Sequence, residues 1–238
     1  MEFTYYGDIL GISSAYELGF DIAKNKLNKF YNEVYNTLKN YCQQNITTKV
    51  WMFSDSLFIY GDNALTALEE IQLIYDNLLS DDILLRGAMV KGRLSFEIRT
   101  SNDNIEKQLP VDDVLVRATG LEKFYKGARL IIENELASEL FQVYPDWATN
   151  EGFQKTYMNY HNISNSKILK CICPTPDQRN YEYLYPITDQ DEDIDYIERK
   201  RKLKNLEALV STDLKQHYSE TIALLDRCQT RKKMMRGL

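Results

Sequence analysis

Residues 3–10, Phe-Thr-Tyr-Tyr-Gly-Asp-Ile-Leu, concentrate aromatic and β-branched types and predict a first strand. Gly11 ends it, and Ser13 or Ser14 suits the cap of a following helix. Phe20, Ala23, Leu27, Phe30, Val34, Leu38 and Tyr41 then recur at helical spacing, which predicts a long amphipathic helix with Phe20, Phe30 and Tyr41 in the core. Two apolar runs, Val50 to Phe53 and Leu57 to Tyr60, flank Ser54-Asp55-Ser56 and predict a tight hairpin with Asp55 at its tip. Leu65, Leu68, Ile71, Tyr75 and Leu78 predict a second helix, Leu84 to Leu94 a strand, and the polar run Arg99 to Gln108 a loop. A third helix starts at Asp112 or Asp113 and runs through Leu115, Ala118, Leu121 and Phe124, followed by a short strand, Arg129 to Ile132.

The order β, α, β-hairpin, α, β, α, β implies an α+β, ferredoxin-like palm: a central, mostly antiparallel sheet with helices on one face. Beyond about residue 135 the pattern predicts a strand at Tyr181 to Ile187, a solvated acidic run at Asp189 to Asp195, and helices at Ile197 to Leu209 and Leu214 to Met235. With no internal repeat or low-complexity linker, the expectation is a palm over 1–135 and a mainly helical C-terminal extension of the same domain over 136–238.

Composition narrows the chemistry. With 238 residues, 44% of them hydrophobic, the chain can bury a sizeable core in one large or two small domains. A formal net charge of -6 argues against non-specific nucleic-acid binding, so any phosphate site must draw on metal and a few Lys or Arg side chains. No segment pairs a basic start with an apolar run, and none approaches the roughly 20 apolar residues of a membrane span, so no membrane partner and a cytoplasmic location are expected. Cys42, Cys171, Cys173 and Cys228 are scattered and only His161 and His217 accompany them, which suits reduced thiols better than a zinc site.

Asp8 and Asp55 stand where apolar strand patterns exit or turn, and a carboxylate there is costly unless a cation neutralises it. Singly, each is an ordinary cap or turn residue. Converging beside a glycine turn open to a phosphate chain, they would hold divalent metal for nucleotide chemistry. Arg86 suits either a structural ion pair or a phosphate contact, whereas Lys49, Lys91, Arg93 and Arg117 read as solvated element ends.

Four segments in order resemble the class III nucleotide cyclases. Tyr6-Gly7-Asp8-Ile9-Leu10-Gly11-Ile12-Ser13 resembles their first metal-binding strand and turn, and Ser54-Asp55-Ser56 their second metal hairpin. Leu85 to Gly92 resembles the following strand and Val114 to Glu122 the next helix, so the likeness spans roughly residues 3–135. It implies that Asp8, Asp55 and the Ile9 carbonyl hold two divalent cations, Mn2+ or Mg2+. It implies a substrate site that includes Tyr6, Gly11, Ile12, Ser13, Trp51 and Arg86, with the Gly11 to Ser13 turn offering N–H groups to the β and γ phosphates. It also implies a homodimer that completes each site across its interface.

The departures from the family pattern concern the base. Trp51 stands where purine-selective members carry a base-reading Lys or Glu, and Val116 and Gly120 where they carry an Asn and an Arg. Trp51 suits either stacking on a base or the core. Altered base-reading positions with a helical extension resemble the pyrimidine cyclases of bacterial Pycsar anti-phage defence. That likeness implies conversion of UTP or CTP to cyclic UMP or cyclic CMP, sensed by a separate effector protein. The alternative is a catalytically inactive nucleotide sensor or interaction module on the same palm. A dinucleotide-forming palm fits less well, because no Gly-Gly-Asp-Glu-Phe type hairpin is present.

Overall fold

The computed structural model of the chain describes residues 1–102, 105–143, 171–185 and 193–235. Its first strand, β1 (Phe3–Ile9), gives way at Gly11, whose φ of 77° is left-handed backbone that glycine adopts without strain. The long helix expected beyond it is broken at Gly19, φ 149°, into α1 (Ile12–Leu18) and α2 (Phe20–Gln44). Ser13 and Ser14 therefore lie inside α1 rather than capping it. Phe20, at the first turn of α2, is 63% exposed and sits against Tyr16, while Phe30, Val34, Leu38 and Tyr41 are buried as their spacing predicts.

The expected hairpin forms from β2 (Lys49–Phe53) and β3 (Ser56–Gly61), turning on Ser54 and Asp55. Then come α3 (Ala64–Ser80) and β4 (Leu85–Lys91). The polar run expected as a loop belongs instead to an antiparallel pair, β5 (Phe96–Asn102) and β6 (Ile105–Pro110). That pair is a sheet of its own, so it does not carry the apolar density of a core strand. Its strand-forming residues Phe96, Ile98 and Thr100 do keep the period of two. The chain continues through α4 (Val114–Phe124), β7 (Leu130–Ile132), α5 (Asn134–Val143), β8 (Cys171–Pro174), β9 (Tyr181–Leu184), α6 (Asp193–Leu209) and α7 (Thr212–Met235). His161, residues 186–187 of the last expected strand and residues 189–192 of the acidic run lie outside the described residues. Cys173 and Cys228 are buried and Cys42 is half-buried. Among the described residues no helix is long and apolar enough to cross a membrane.

Seven strands form the main sheet in the order β2-β3-β1-β4-β7-β9-β8, antiparallel except for the β4–β7 pair. The fold is α+β with C-terminal helices. Phe3, Tyr5, Ile9, Leu57, Ile59 and Met89 join α2 and α3 in one core. The opposite face also needs cover, because β4 is apolar at consecutive positions, Ala88-Met89-Val90. There α4 packs Val114 and Ala118 on Val90 beside Tyr6, while Tyr125 just beyond it packs on Ala88 and Ile131. Helices thus flank both faces, where the element order had implied one. Gly7 and Gly87 face each other in the β1–β4 register beneath the Tyr5 ring, and a Cβ at Gly87 would come within 2.6 Å of the Tyr5 hydroxyl.

The last helix is fixed to β7 by polar contacts. Gly127 N–H donates to His217 Nδ1 at 3.2 Å, and Ala128 N–H donates to Thr221 Oγ1 at 2.8 Å. Arg129 bridges buried Glu182 of β9, at 3.3 Å, to Glu220 of α7, at 2.5 Å. Burial, followed by the charges of Arg86 and Lys126, holds the His217 imidazole down to about 4, so it stays neutral and accepts from Gly127. Folding therefore favours neutral His217: its contribution is present above the ordinary value of 6.5 and is lost as pH falls through about 4. His217→Gln keeps an acceptor and removes the titration. Its urea-unfolding free energy should fall less than the wild type's between pH 7 and pH 4, by on the order of 2 kcal/mol.

Candidate active site

The register of β1 sets Asp8 between Ser56 of β3 and Arg86 of β4, all on the face that α4 covers. Arg86 Nε donates to Asp8 Oδ1 at 2.8 Å and Nη2 donates to Oδ2 at 3.2 Å, a fork that takes both carboxylate oxygens. The same guanidinium forms an ion pair with Glu122 in the last turn of α4. Glu122 is 1% exposed, and burial, then the charge of Asp8, pushes its carboxyl up to about 7. Of the two readings open for Arg86, the structure supplies the ion pair.

Asp55 is half-buried in the hairpin turn, where Ser54 has φ 55°. Its carbonyl oxygen accepts the Ile9 N–H at 3.0 Å, which ties the turn to the end of β1 beside Asp8. Tyr6 lies on the same face, its hydroxyl 3.5 Å from Ser56 Oγ and its ring 5.0 Å from that of Phe58. Burial raises the Tyr6 pKa first, and the charges of Asp8, Glu122 and Asp55 add to it, so all three carboxylates act on this hydroxyl. Two carboxylates and the Ile9 carbonyl are hard oxygen donors of the kind that suit Mg2+ or Mn2+. Among the described residues no group of three or more His, Cys, Asp or Glu is arranged to hold a metal by itself.

At the turn after β1, Ile12 is 5% exposed, so only its backbone can face a ligand, whereas the Ser13 side chain is exposed. The first N–H groups of α1 have no partner within the helix. Lys26 of α2 reaches this turn from behind and donates to the Leu10 carbonyl. Trp51 is not a core residue. It lies on the edge strand β2, 41% exposed, edge-on to Tyr60 and stacked on Phe96 of β5 at 5.2 Å and 20°. Phe53, on the same face of β2, is 79% exposed. On α4, Val116 is 70% exposed, and a Cβ at Gly120 would meet nothing within 4 Å.

Lys91 is paired with Glu135 and Glu139 at 2.6 Å each, Arg117 with Asp113 and Glu133, and Arg93 donates to the Thr47 carbonyl. Two residues absent from the expected site sit at it: Glu122 and Lys26. The signal for Glu122 is its place on the α4 stripe of Val114, Ala118 and Leu121, where an acid is buried. That for Lys26 is one turn's distance from Ala23 and Phe30 on the inward side of α2.

No protein-family profile and no curated protein sequence matches the chain. Among solved structures it is similar to the adenylyl cyclase CyaB from P. aeruginosa, at 14% identity and TM-score 0.44, over 59% of this chain and 80% of that one. It is similar to the monomeric guanylyl cyclase domain of the RhoGC fusion protein from the aquatic fungus Blastocladiella emersonii, at 13% identity and TM-score 0.49, over 77% and 94%. It is also similar to the guanylyl cyclase Cya2, at 11% identity and TM-score 0.44, over 77% and 91%.

The Asp8–Arg86–Glu122 cluster gives a stability test. Arg86→Met should cost about 3 kcal/mol in urea unfolding, because two largely buried carboxylates lose their shared cation. Adding Glu122→Gln removes one of those charges, and the double variant should unfold at higher urea than Arg86→Met alone.

Proposed function

We propose that the chain is a nucleotide cyclase that converts a pyrimidine ribonucleoside triphosphate, UTP or CTP, to its 3',5'-cyclic monophosphate and pyrophosphate. The observation that carries this reading is the tie between the Asp55 turn and the end of β1, which brings the backbone of Asp55 against Ile9, next in sequence to Asp8 and two residues before the Gly11 turn. Asp8, Asp55 and the Ile9 carbonyl would hold two divalent cations, which when bound activate the ribose 3'-hydroxyl and neutralise the triphosphate. Arg86 donates to both oxygens of Asp8 and fixes the orientation of that carboxylate. The Gly11 turn presents backbone N–H groups, and the absence of a side chain at Gly11 lets a phosphate approach them.

The Trp51–Phe96 stack supports a base site that reads a ring face rather than a purine edge. The exposed apolar side chains of Phe53 on β2 and of Val116 and Phe124 on α4 suit a second copy of the chain, which would complete the site where Val116 and Gly120 leave room. In this reading the cyclic nucleotide is a second messenger in anti-phage defence and a separate effector protein senses it. The extension after residue 135 belongs to the same unit as the palm.

Two observations favour a second reading, a nucleotide sensor without turnover. The Asp8 carboxylate is already held at both oxygens by Arg86, and no side chain stands at Gly120 to meet developing phosphate charge.

Incubation of the purified chain with each of the four ribonucleoside triphosphates and Mn2+ separates the readings. Pyrophosphate and a cyclic monophosphate should appear with UTP or CTP and not with ATP or GTP; binding without either product assigns the sensor. Asp8→Ala and Asp55→Ala should each lower turnover on the order of 1,000-fold, as the loss of several kcal/mol of transition-state stabilisation requires, without loss of folded circular dichroism. Trp51→Ala should weaken triphosphate binding by about 1–3 kcal/mol and flatten the preference among bases, read by competition among the four triphosphates.

A further inference from the structure

A cleft of about 710 Å³ opens between α1, the start of α2, the turn after α3 and the junction of α6 with α7. Its walls are mostly apolar. Leu206, Val210 and Leu214 line it half-buried, and Leu18 and Leu209, at 76% and 82% exposure, leave apolar surface uncovered at its edge. Three lysines line it, and two have acidic partners: Lys29 lies 3.7 Å from Asp81 and Lys202 lies 3.8 Å from Asp82. Lys26 has no carboxylate within ion-pair distance among the described residues. Its Nζ donates to the Leu10 carbonyl, and burial pushes its pKa down to about 8.

An ammonium carries three N–H donors, so Lys26 has two left after Leu10. A desolvated cation without a counter-ion is costly, and so is apolar surface facing water. One ligand relieves both. We propose that this cleft binds an amphipathic monocarboxylate of the fatty-acid type, its carboxylate on Lys26 and its chain along Leu206, Val210 and Leu214. A monoanion matches the one lysine of the lining without an ion pair, whereas a dianionic phosphate would bring a second negative charge toward Glu17, Asp81 and Asp82, which also line the cleft. The volume lies within the usual range of small-molecule sites. No residue of the carboxylate cluster lines the cleft, but Gly11 and Lys26 belong both to it and to the turn that the cyclase reading gives to phosphate, so the two sites adjoin.

Calorimetric titration of the full chain with dodecanoate, below its critical micelle concentration, tests this. Saturable binding at one site per chain is expected. Lys26→Met should weaken it roughly tenfold or more while leaving the weaker binding of 1-dodecanol unchanged. Leu206→Trp, which fills the cleft and leaves Lys26 in place, should abolish binding of both, with circular dichroism confirming the fold of each variant. Absence of saturable dodecanoate binding by the wild type, or equal affinity in Lys26→Met, overturns the proposal. So does displacement of dodecanoate by inorganic tripolyphosphate, which would assign Lys26 to a phosphate chain at the Gly11 turn.

Discussion

Bringing Asp8 and Glu122 together on one face of the sheet depends on the guanidinium of Arg86 between them. Two carboxylates removed from water repel each other and each loses hydration, and a residue that answered only one would leave the other uncompensated. Arg86 meets both because β4 runs antiparallel to β1 with position 86 opposite position 8, while α4 delivers Glu122 from above. The planar fork matters as much as the charge: Nε and Nη2 take the two Asp8 oxygens separately, which a lysine would not do. Strand register and helix placement therefore meet in this one contact.

The two faces of the sheet differ in how far helices cover them. On the side of α2 and α3, the strands contribute Phe3, Tyr5, Ile9, Leu57 and Ile59, and the face is closed by packing. On the other side α4 covers only β1, β4 and β7, leaving Trp51 and Phe53 of the outer hairpin strand open beside the carboxylate end. A closed apolar layer backs the sheet on one face, and on the other the exposed rings of β2 lie across β3 from the Asp8–Arg86 pair. A surface with stacking rings at one end and oxygen donors at the other is suited to a nucleotide, which is flat and aromatic at one end and anionic at the other.

Much of this was legible in the residues. The strands and helices from Phe3 to Ile132 with strong periodicity lie close to where the pattern predicts, because most of their apolar positions face a core, Phe20 and Phe124 being exposed exceptions. The misses have separate causes. Gly19 interrupts an apolar rhythm that carries on across it, so the break between α1 and α2 leaves no mark in the spacing. The β5–β6 pair is stabilised by its own ladder rather than by the core, and its polar residues resemble a loop. The four-residue β8, Cys-Ile-Cys-Pro, is too short to stand out from its surroundings. At the site, Asp8 and Asp55 are marked by their local settings, but the partner of Arg86 is fixed by a strand pairing distant in sequence. Whether Trp51 is covered depends on sheet order, which puts β2 at the edge.

The C-terminal helices show how far the sheet depends on residues remote from the palm. Between α4 and β7 the chain passes through Gly127 at φ 95°, and the N–H groups of Gly127 and Ala128 point away from any strand partner. Buried donors of this kind must be satisfied, and α7 supplies both acceptors, His217 Nδ1 and Thr221 Oγ1. The next residue, Arg129, is 5% exposed and is neutralised by Glu182 from β9 and Glu220 from α7. Without α7, Gly127 and Ala128 would lose their acceptors and Arg129 would keep only Glu182. Since β7 pairs in parallel with β4, and β4 carries Arg86, the position of the guanidinium that answers Asp8 rests in part on contacts made by the last helix.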